Sequence, residues 1–437
     1  MTDKQLFLRY INFLRGQKSY VLMILLLSLH NILYWNIMCY KKLLFVFAFL
    51  IVSLFSTWAQ DVIVAAALVE EYVPQLKGKK IGLFSNHTGM VGERHTLDIM
   101  LENELDVEVI YSPEHGFRGT ADAGEHVNSS VDAKTGIRIE SLYGSNKKKA
   151  LSKEEISKVD IIVTDIQDVG LRFYTYYCTM VDLMNAAVAN EKEFMVLDRP
   201  NPNGMYVDGP ILDMKYKSGV GKLPIPVVHG LTLGELALMV NGEGWLDDGA
   251  KVPLTVVKCK NYTHQTRYVL PVAPSPNLRT MKSIYLYPSM CYFEGTSVSL
   301  GRGTDAPFEI YGHPKMKGCD FSFTPRSVEG AKNPPLLNKK CYGRDLRNLD
   351  DEEIIAKGLN LEYLIDAYNC MGVSVDAFFD NGYTYKGAKE FFEKLIGDES
   401  IRGMIAKGMS ADEIKATWAD DVEAFKAQRK PYLLYKE

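Results

Sequence analysis

The stretch Ile81-Gly82-Leu83-Phe84-Ser85-Asn86-His87-Thr88-Gly89 sets the fold. An apolar run ends abruptly in polar, turn-forming residues, which is how a buried strand delivers a loop to the edge of a sheet. The pattern recurs in β-rich apolar runs at 107–111, 161–163, 194–197 and 254–257. Between them lie helical stretches at 97–104 and 180–190, one starting at Ser152 with Glu155 three residues on, and one at Thr232 with Glu235 three residues on. The last two fit the capping-box pattern. Strands alternating with helices imply parallel pairing with helices on both faces. The expected fold is α/β: a Rossmann-like three-layer domain with a mostly parallel sheet over residues 61–270, then a smaller α+β auxiliary domain over residues 271–437.

In the second half, Pro274-Ser275-Pro276-Asn277 reads as a turn, with strand-like segments near 283–286, 296–300 and 308–311. Helices are expected at 351–356, 362–369, 388–395 and 401–407, with a last one capped by Ser410 and Glu413. Residues 1–60 do not read as fold. Lys41-Lys42 precede an apolar run at 43–55, and Ser56-Thr57-Trp58-Ala59-Gln60 follows, the three parts of a secretory signal. Met38 stands just before it, so residues 1–37 read as an over-extended start. The competing reading pairs this run with the apolar stretch at 20–35 as a membrane hairpin, although neither offers the roughly 20 clean apolar residues of a spanning helix. The expectation is therefore export to the periplasm or outside, with no stable membrane insertion after cleavage.

Of 437 residues, 47% are hydrophobic and 24% charged, which are globular proportions. Without residues 1–60 the chain carries 44 Lys/Arg against 53 Asp/Glu, about −9. A mildly acidic protein without a dense basic stripe offers no field for a phosphate backbone, so nucleic acid is not an expected partner. Six cysteines remain, dispersed and without a C-x-x-C pair, and read as buried free thiols. No P-loop, G-x-S-x-G elbow or H-E-x-x-H is present. Gly301-Arg302-Gly303-Thr304-Asp305-Ala306 imitates a dinucleotide fingerprint, but Pro307 follows where a helix has to begin. Neither cofactor nor metal is expected.

The polar loops fall at the carboxyl ends of the strands, where ligands bind in such sheets. Glu114, behind Pro113 and beside His115, is placed where partial desolvation raises a carboxyl towards neutrality and makes it a general acid. A cap on the following turn or a pair with Arg118 is the competing role. Asp165 and Asp168 offer a second carboxylate, a helix cap being the alternative for Asp165; Glu294, Glu309 and Glu235 are further candidates, Glu235 as the N3 member of its capping box. Arg118, Arg172, Arg199 and Arg302 sit in Gly/Pro-rich loops, suited to binding a carboxylate bidentately or to pairing with local aspartates. Tyr111, Tyr143, Tyr174, Tyr176 and Tyr177 flank the same loops as stacking platforms or as core.

The motifs S-N-H-T-G, S-P-E-H-G-F-R-G, D-I-Q-D-V-G-x-R-x-Y-T, D-R-P-N-P-x-G, H-G-L-T-x-G-E-L-A, P-S-P-N and G-R-G-T-x-x-P-F-E, with a closing R-x-x-Y-L-L-Y, resemble those of the NamZ family of exo-β-N-acetylmuramidases. The resemblance runs from about residue 73 to 435. It implies release of N-acetylmuramic acid from the non-reducing end of peptidoglycan-derived glycans or disaccharides. The family's catalytic glutamate carries over to Glu114. Asp168 ranks above Glu294 as the second group, with help from the substrate's acetamido group left open. His87, His115, Arg118, Arg172, Tyr174, Arg199, Asn201, His229, Glu294 and Arg302 are the expected substrate-binding residues, Arg172 and Arg118 leading for the lactyl carboxylate. The rival functions are a non-catalytic cell-wall-binding protein and an esterase or amidase using His229 or His115 as base.

Overall fold

The structure is a computed structural model that describes residues 61–113, 116–117, 130–142, 151, 153–380 and 390–437, besides isolated positions 5 and 28. The expected signal segment therefore lies outside the described residues. So do Glu114, His115, Arg118 and Tyr143.

Seven strands form the central sheet: β1 (Lys80–Ser85), β4 (Asp106–Ser112), β5 (Ser130–Val131), β6 (Arg138–Ser141), β7 (Ile161–Asp165), β8 (Glu193–Leu197) and β9 (Leu254–Val257). Strands β2 (Met90–Val91) and β3 (Arg94–His95) make a separate small hairpin. The spatial order is β5-β6-β4-β1-β7-β8-β9, parallel throughout except at the β5 edge. The chain runs from β1 outward through β4 to β6, then returns to β7 on the other side of β1. That reversal is the doubly wound topology, and it opens a crevice at the carboxyl ends of β1 and β7. Their last paired residues are Ser85 and Asp165.

Alternation along the strands builds the layers. Ile81, Leu83, Ile161, Val163, Met195 and Leu197 point to one face, where they meet Tyr72, Leu76, Leu97 and Met100 from the helices Val69–Leu76 and Thr96–Glu102. Phe84, Ile162, Phe194 and Val196 point to the other, against the helices Tyr176–Ala189 and Leu233–Gly242. With both faces covered, the strands read as nearly unbroken apolar runs. Gly82 breaks the run because a Cβ there would strike the ring of the buried Tyr111 on β4.

The second half completes the second of these cores. Helix Met281–Met290 stands where a strand near 283–286 was expected: Thr280 and Ser283 form a reciprocal capping box, and every residue from Ser283 to Met290 is buried. The β-like composition of Ile284-Tyr285-Leu286-Tyr287 reflects burial on all sides, and tertiary contact overrides propensity. The expected strand at 296–300 is only an isolated bridge, Ser299 to Gly312. A three-stranded antiparallel sheet, ordered β10-β12-β11, does form from β10 (Ile310–His313), β11 (Phe321–Phe323) and β12 (Cys341–Asp345). Helices Asp351–Lys357, Glu362–Met371, Phe391–Ile396, Ser400–Ala406 and Ala411–Ala416 follow, and Ala419–Arg429 adds one that was not expected. Residues 62–437 make one unit, with a single apolar cluster running from Phe84 to Phe425. Among the described residues no helix is long and apolar enough to cross a membrane.

Candidate active site

The loop after β1 is self-bracing. Asn86 accepts from the Thr88 amide at 2.9 Å and the Thr88 hydroxyl at 2.6 Å, while its amide donates to Tyr176 Oη at 2.9 Å. Thr88 Oγ1 in turn accepts from the Gln167 amide at 3.0 Å, which ties the β1 loop to the β7 loop across the crevice. Gln167 Nε2 then donates to the carbonyls of Asp168 and Pro200, at 2.8 and 2.7 Å, joining the β7 and β8 loops. Three strand ends are thus held in fixed relation before any substrate arrives.

Two aspartates leave β7 and meet different fates. Asp165, completely buried, receives Arg199 Nε at 2.6 Å and Nη2 at 3.0 Å in a fork-to-fork pair. Arg199 Nη1 donates to the Met90 carbonyl at 3.1 Å. Each partner neutralises the other, the arrangement a buried charge requires. Asp168, also buried, accepts from the Gly170 amide at 2.7 Å on Oδ1, but Oδ2 has no hydrogen-bond partner among the described residues. Burial pushes its carboxyl up to about 7, the main-chain N–H groups of Gly170, Val169 and Tyr177 acting in the opposite sense. A carboxyl with an idle oxygen and a pKa near neutrality is equipped for proton transfer. Gly170 adopts φ +77°, and a side chain there would run into Asn201, so glycine is required for this loop to close beside Asp168.

The remaining candidates divide. Tyr174 packs edge-on against Tyr176 and Tyr287, with centroids 4.7 and 6.2 Å away, and donates to the Pro274 carbonyl at 2.8 Å. Burial, with the neighbouring Tyr176 and Asp168 adding to it, holds its hydroxyl well above the ordinary range. Through Tyr287 the array reaches Phe308, over which Arg302 lies at 5.1 Å. Arg302 Nη2 bonds Glu294 at 2.6 Å, both side chains being partly accessible at 18% and 12%. His87 Nε2 meets the Ala273 carbonyl at 2.9 Å. The crevice thus gathers Asp168 and Tyr174, with Glu294 and Arg302 linked to them through Tyr287.

Arg172 stands outside that group. Fully buried, it sends Nη1 to the carbonyls of Pro210 and Ile225, and Nη2 to those of Leu395 and Ile396, at 2.7–3.0 Å. Its job is to clip the carboxyl end of the helix Phe391–Ile396 to the first half, where a substrate carboxylate has no access. Burial lowers even this guanidinium to about 10. Asn201 is likewise internal, donating to the Leu231 carbonyl at 2.9 Å and accepting from the Asn203 amide at 2.8 Å. His229 accepts from the Leu231 amide on Nδ1 at 3.2 Å, and burial, reinforced by the Arg429 and Arg172 cations, lowers it to about 3. A base that weak does not suit the esterase alternative at His229, while His115 lies outside the described residues.

One cluster was read only in part, the Thr232/Glu235 capping box being expected and its junction with Asp198 and the last residues not. Asp198, at the β8 end, accepts from Arg199 N, Gly234 N, Thr232 Oγ1 and the hydroxyl of Tyr435 at 2.7–3.0 Å. Glu235 completes the capping box with Thr232 and also accepts from His264 at 3.0 Å and the Leu434 amide at 2.8 Å. The closing Tyr-Leu-Leu-Tyr was the available signal: aromatic residues so near a terminus need something to cover. Two surface cavities, of 310 and 480 Å³, lie elsewhere, and no residue of these strand-end loops lines either.

Comparison with known proteins covers both halves of the chain. Residues 81–282 match the family described as exo-beta-N-acetylmuramidase NamZ, N-terminal, and residues 285–435 its C-terminal counterpart. The chain is 39% identical over 386 residues to the peptidoglycan beta-N-acetylmuramidase NamZ of Bacillus subtilis (strain 168), covering 84% of this chain and 90% of that protein. Two crystal structures of DUF1343 family proteins from Bacteroides fragilis NCTC 9343 share the fold. One has 59% identity and a TM-score of 0.79, covering 86% of this chain and all of the other. The second has 28% identity and a TM-score of 0.70, covering 86% and 99%. A doubly wound sheet, a buried aspartate at its crevice and a sequence match through both halves lead to one conclusion: the chain belongs to the NamZ family of exo-β-N-acetylmuramidases.

Proposed function

We propose that the chain is an exported glycoside hydrolase that releases N-acetylmuramic acid from the non-reducing end of peptidoglycan fragments. Glu114 donates a proton to the glycosidic oxygen as that bond breaks. Asp168 takes up the proton released on the other side of the sugar, from the attacking water or from the acetamido nitrogen when that group attacks first. Water is consumed overall, its hydroxyl going to the anomeric carbon and its proton to the leaving sugar. The observation that carries the reading is Asp168 at the switch point, a buried carboxyl whose Oδ2 has no hydrogen-bond partner among the described residues and which burial pushes up to about 7. With Arg172 and Arg199 committed inside the protein, recognition of the lactyl carboxylate falls to Arg118 and Arg302.

The test is turnover of a muramic acid glycoside whose leaving group needs protonation. Glu114→Gln is expected to lower kcat by about 10²–10⁴-fold with the melting temperature unchanged. Near-full activity would remove Glu114 from the mechanism. Export rests on the Lys41–Gln60 signal and predicts a mature amino terminus near Gln60 or Asp61. Terminal sequencing of exported protein that found residues 1–40 intact would favour the membrane hairpin.

A further inference from the structure

Of the six cysteines in the mature chain, Cys178, Cys259, Cys291 and Cys341 are buried, as the sequence led one to expect of free thiols, but Cys319 and Cys370 are partly exposed. Cys370 lies in the last turn of the helix Glu362–Met371, and Cys319 stands just before β11. About 50 residues separate them in sequence, yet the fold brings them to one place.

Three contacts set that place. The Lys317 amide donates to the Cys370 carbonyl at 3.1 Å, so the two backbones meet two residues from Cys319. Gly318, at φ +68°, bends the chain there, and the Cys319 thiol folds back onto the Lys317 carbonyl at 3.5 Å. Arg344 on β12 then bridges the two segments. Its Nη1 donates at 3.4 Å to the Gly318 carbonyl, in the peptide that supplies the Cys319 nitrogen, and its Nη2 meets Cys370 Sγ at 3.7 Å. Burial first, then Asp366 and Cys319, push the Cys370 thiol up, while Arg344 acts in the opposite sense. The two sulfurs are thus close enough for one to affect the other's ionisation.

The ion pair at this junction is weak. Arg344 forks onto Asp366 at 3.0 and 3.1 Å, but the two side chains are 38% and 32% exposed, and water screens such an attraction. A covalent bond between the cysteines would close a loop of about 50 residues that contains β11, β12 and the helix Asp351–Lys357, which removes freedom from the unfolded chain. Backbones already in contact supply the approach that a disulfide needs, and a guanidinium beside the sulfurs favours the thiolate that has to form first.

We propose that Cys319 and Cys370 form a disulfide when the chain meets an oxidising compartment, tying the approach to β11 to the end of the helix Glu362–Met371. The oxidant is a small-molecule or protein disulfide, and oxidised glutathione serves as the probe. One cysteine loses its proton to solvent, and its thiolate attacks a glutathione sulfur, breaking that S–S bond and releasing one glutathione thiolate, which takes up a proton. The second cysteine, likewise deprotonated, attacks the protein sulfur of the mixed disulfide and releases the other glutathione. Two protein thiols are oxidised and one glutathione disulfide is reduced to two thiols. The bond needs nothing of the hydrolase reading, and only the meeting with an oxidant in the cell rests on export. The mature chain is incubated with oxidised glutathione, its remaining thiols are blocked under denaturing conditions, and its peptides are mapped by mass spectrometry with and without reductant. Free thiols should fall from six to four, with one cross-linked pair of peptides joining Cys319 to Cys370. The melting temperature should stand about 5 °C above that of the reduced protein. Cys319→Ala and Cys370→Ala should each melt with the reduced wild type and show no such rise on oxidation. Six free thiols, a glutathione that stays on either cysteine, or a rise that survives in Cys319→Ala would overturn the pairing. Since the oxidant is added, a chain that proves not to be exported leaves these outcomes unchanged.

Discussion

Asp165 and Asp168 leave the same strand three residues apart, and their surroundings differ in one respect. Asp165 meets a guanidinium that uses both its oxygens, while Asp168 meets main-chain N–H groups, Gly170 N on Oδ1 foremost, and its Oδ2 has no hydrogen-bond partner among the described residues. A buried carboxylate with both oxygens engaged by a cation is fixed in charge and position; a buried carboxyl with an idle oxygen holds its proton more tightly than an exposed one and keeps it up to about neutrality. The contrast separates architecture from chemistry within a single loop, and it makes opposite demands on substitution.

The largest effect is expected at Asp168. Asparagine keeps the bond to Gly170 and removes the titratable group, so Asp168→Asn should lower kcat by about 10²–10⁴-fold with the fold intact. Its stability should change with pH in a defined way. Burial raises this carboxyl from 3.8 to about 7, so the protonated form is the one the fold favours. The contribution is fully present below pH 4 and is lost as pH rises through 7. Thermal melts of Asp168→Asn should show a flatter decline across that window than wild type. An equal decline would mean that Asp168 is ionised in the fold throughout.

Arg199→Ala should act in the opposite manner. It strands Asp165 as an uncompensated buried charge and should cost about 3–5 kcal/mol of stability. Whatever protein remains folded should keep a wild-type KM for a small muramide, because the arginine touches no substrate. A variant with normal stability and a raised KM would place Arg199 on the ligand.

The smallest effect is expected at the carboxyl terminus. Tyr435→Phe removes one of the donors to Asp198 and the acceptor for the Cys259 amide. The expected loss is about 1–3 kcal/mol by denaturant titration. No loss would mean that the closing segment does not brace the β8 end.

The same contrast explains what could be read beforehand. Strands β1, β4, β7, β8 and β9 were legible because burial on both faces leaves unbroken apolar runs. β6 was not, since Arg138-Ile139-Glu140-Ser141 is short and largely polar, and helix Met281–Met290 was misread because full burial gives a helix the composition of a strand. In the candidate site, strand-end placement suggested Asp168 and Tyr174, and a Gly/Pro-rich loop suggested Arg302. It equally pointed to Arg172, whose partners Leu395 and Ile396 lie more than two hundred residues away. A cation in a Gly/Pro-rich loop looks alike in sequence whether it faces a ligand or a carbonyl; only its long-range partners decide.

The central claim is that Asp168 changes protonation near neutrality inside the folded protein. Following its side-chain carboxyl by carbon NMR across a pH titration of the mature chain, assigned with Asp168→Asn, measures that directly. The account predicts a midpoint near 7, with kcat/KM for a muramic acid glycoside rising through the same pH as the carboxyl loses its proton. A midpoint at 4 or below would contradict it, leaving Asp168 an ordinary loop aspartate and returning the search for the second catalytic group to Glu294.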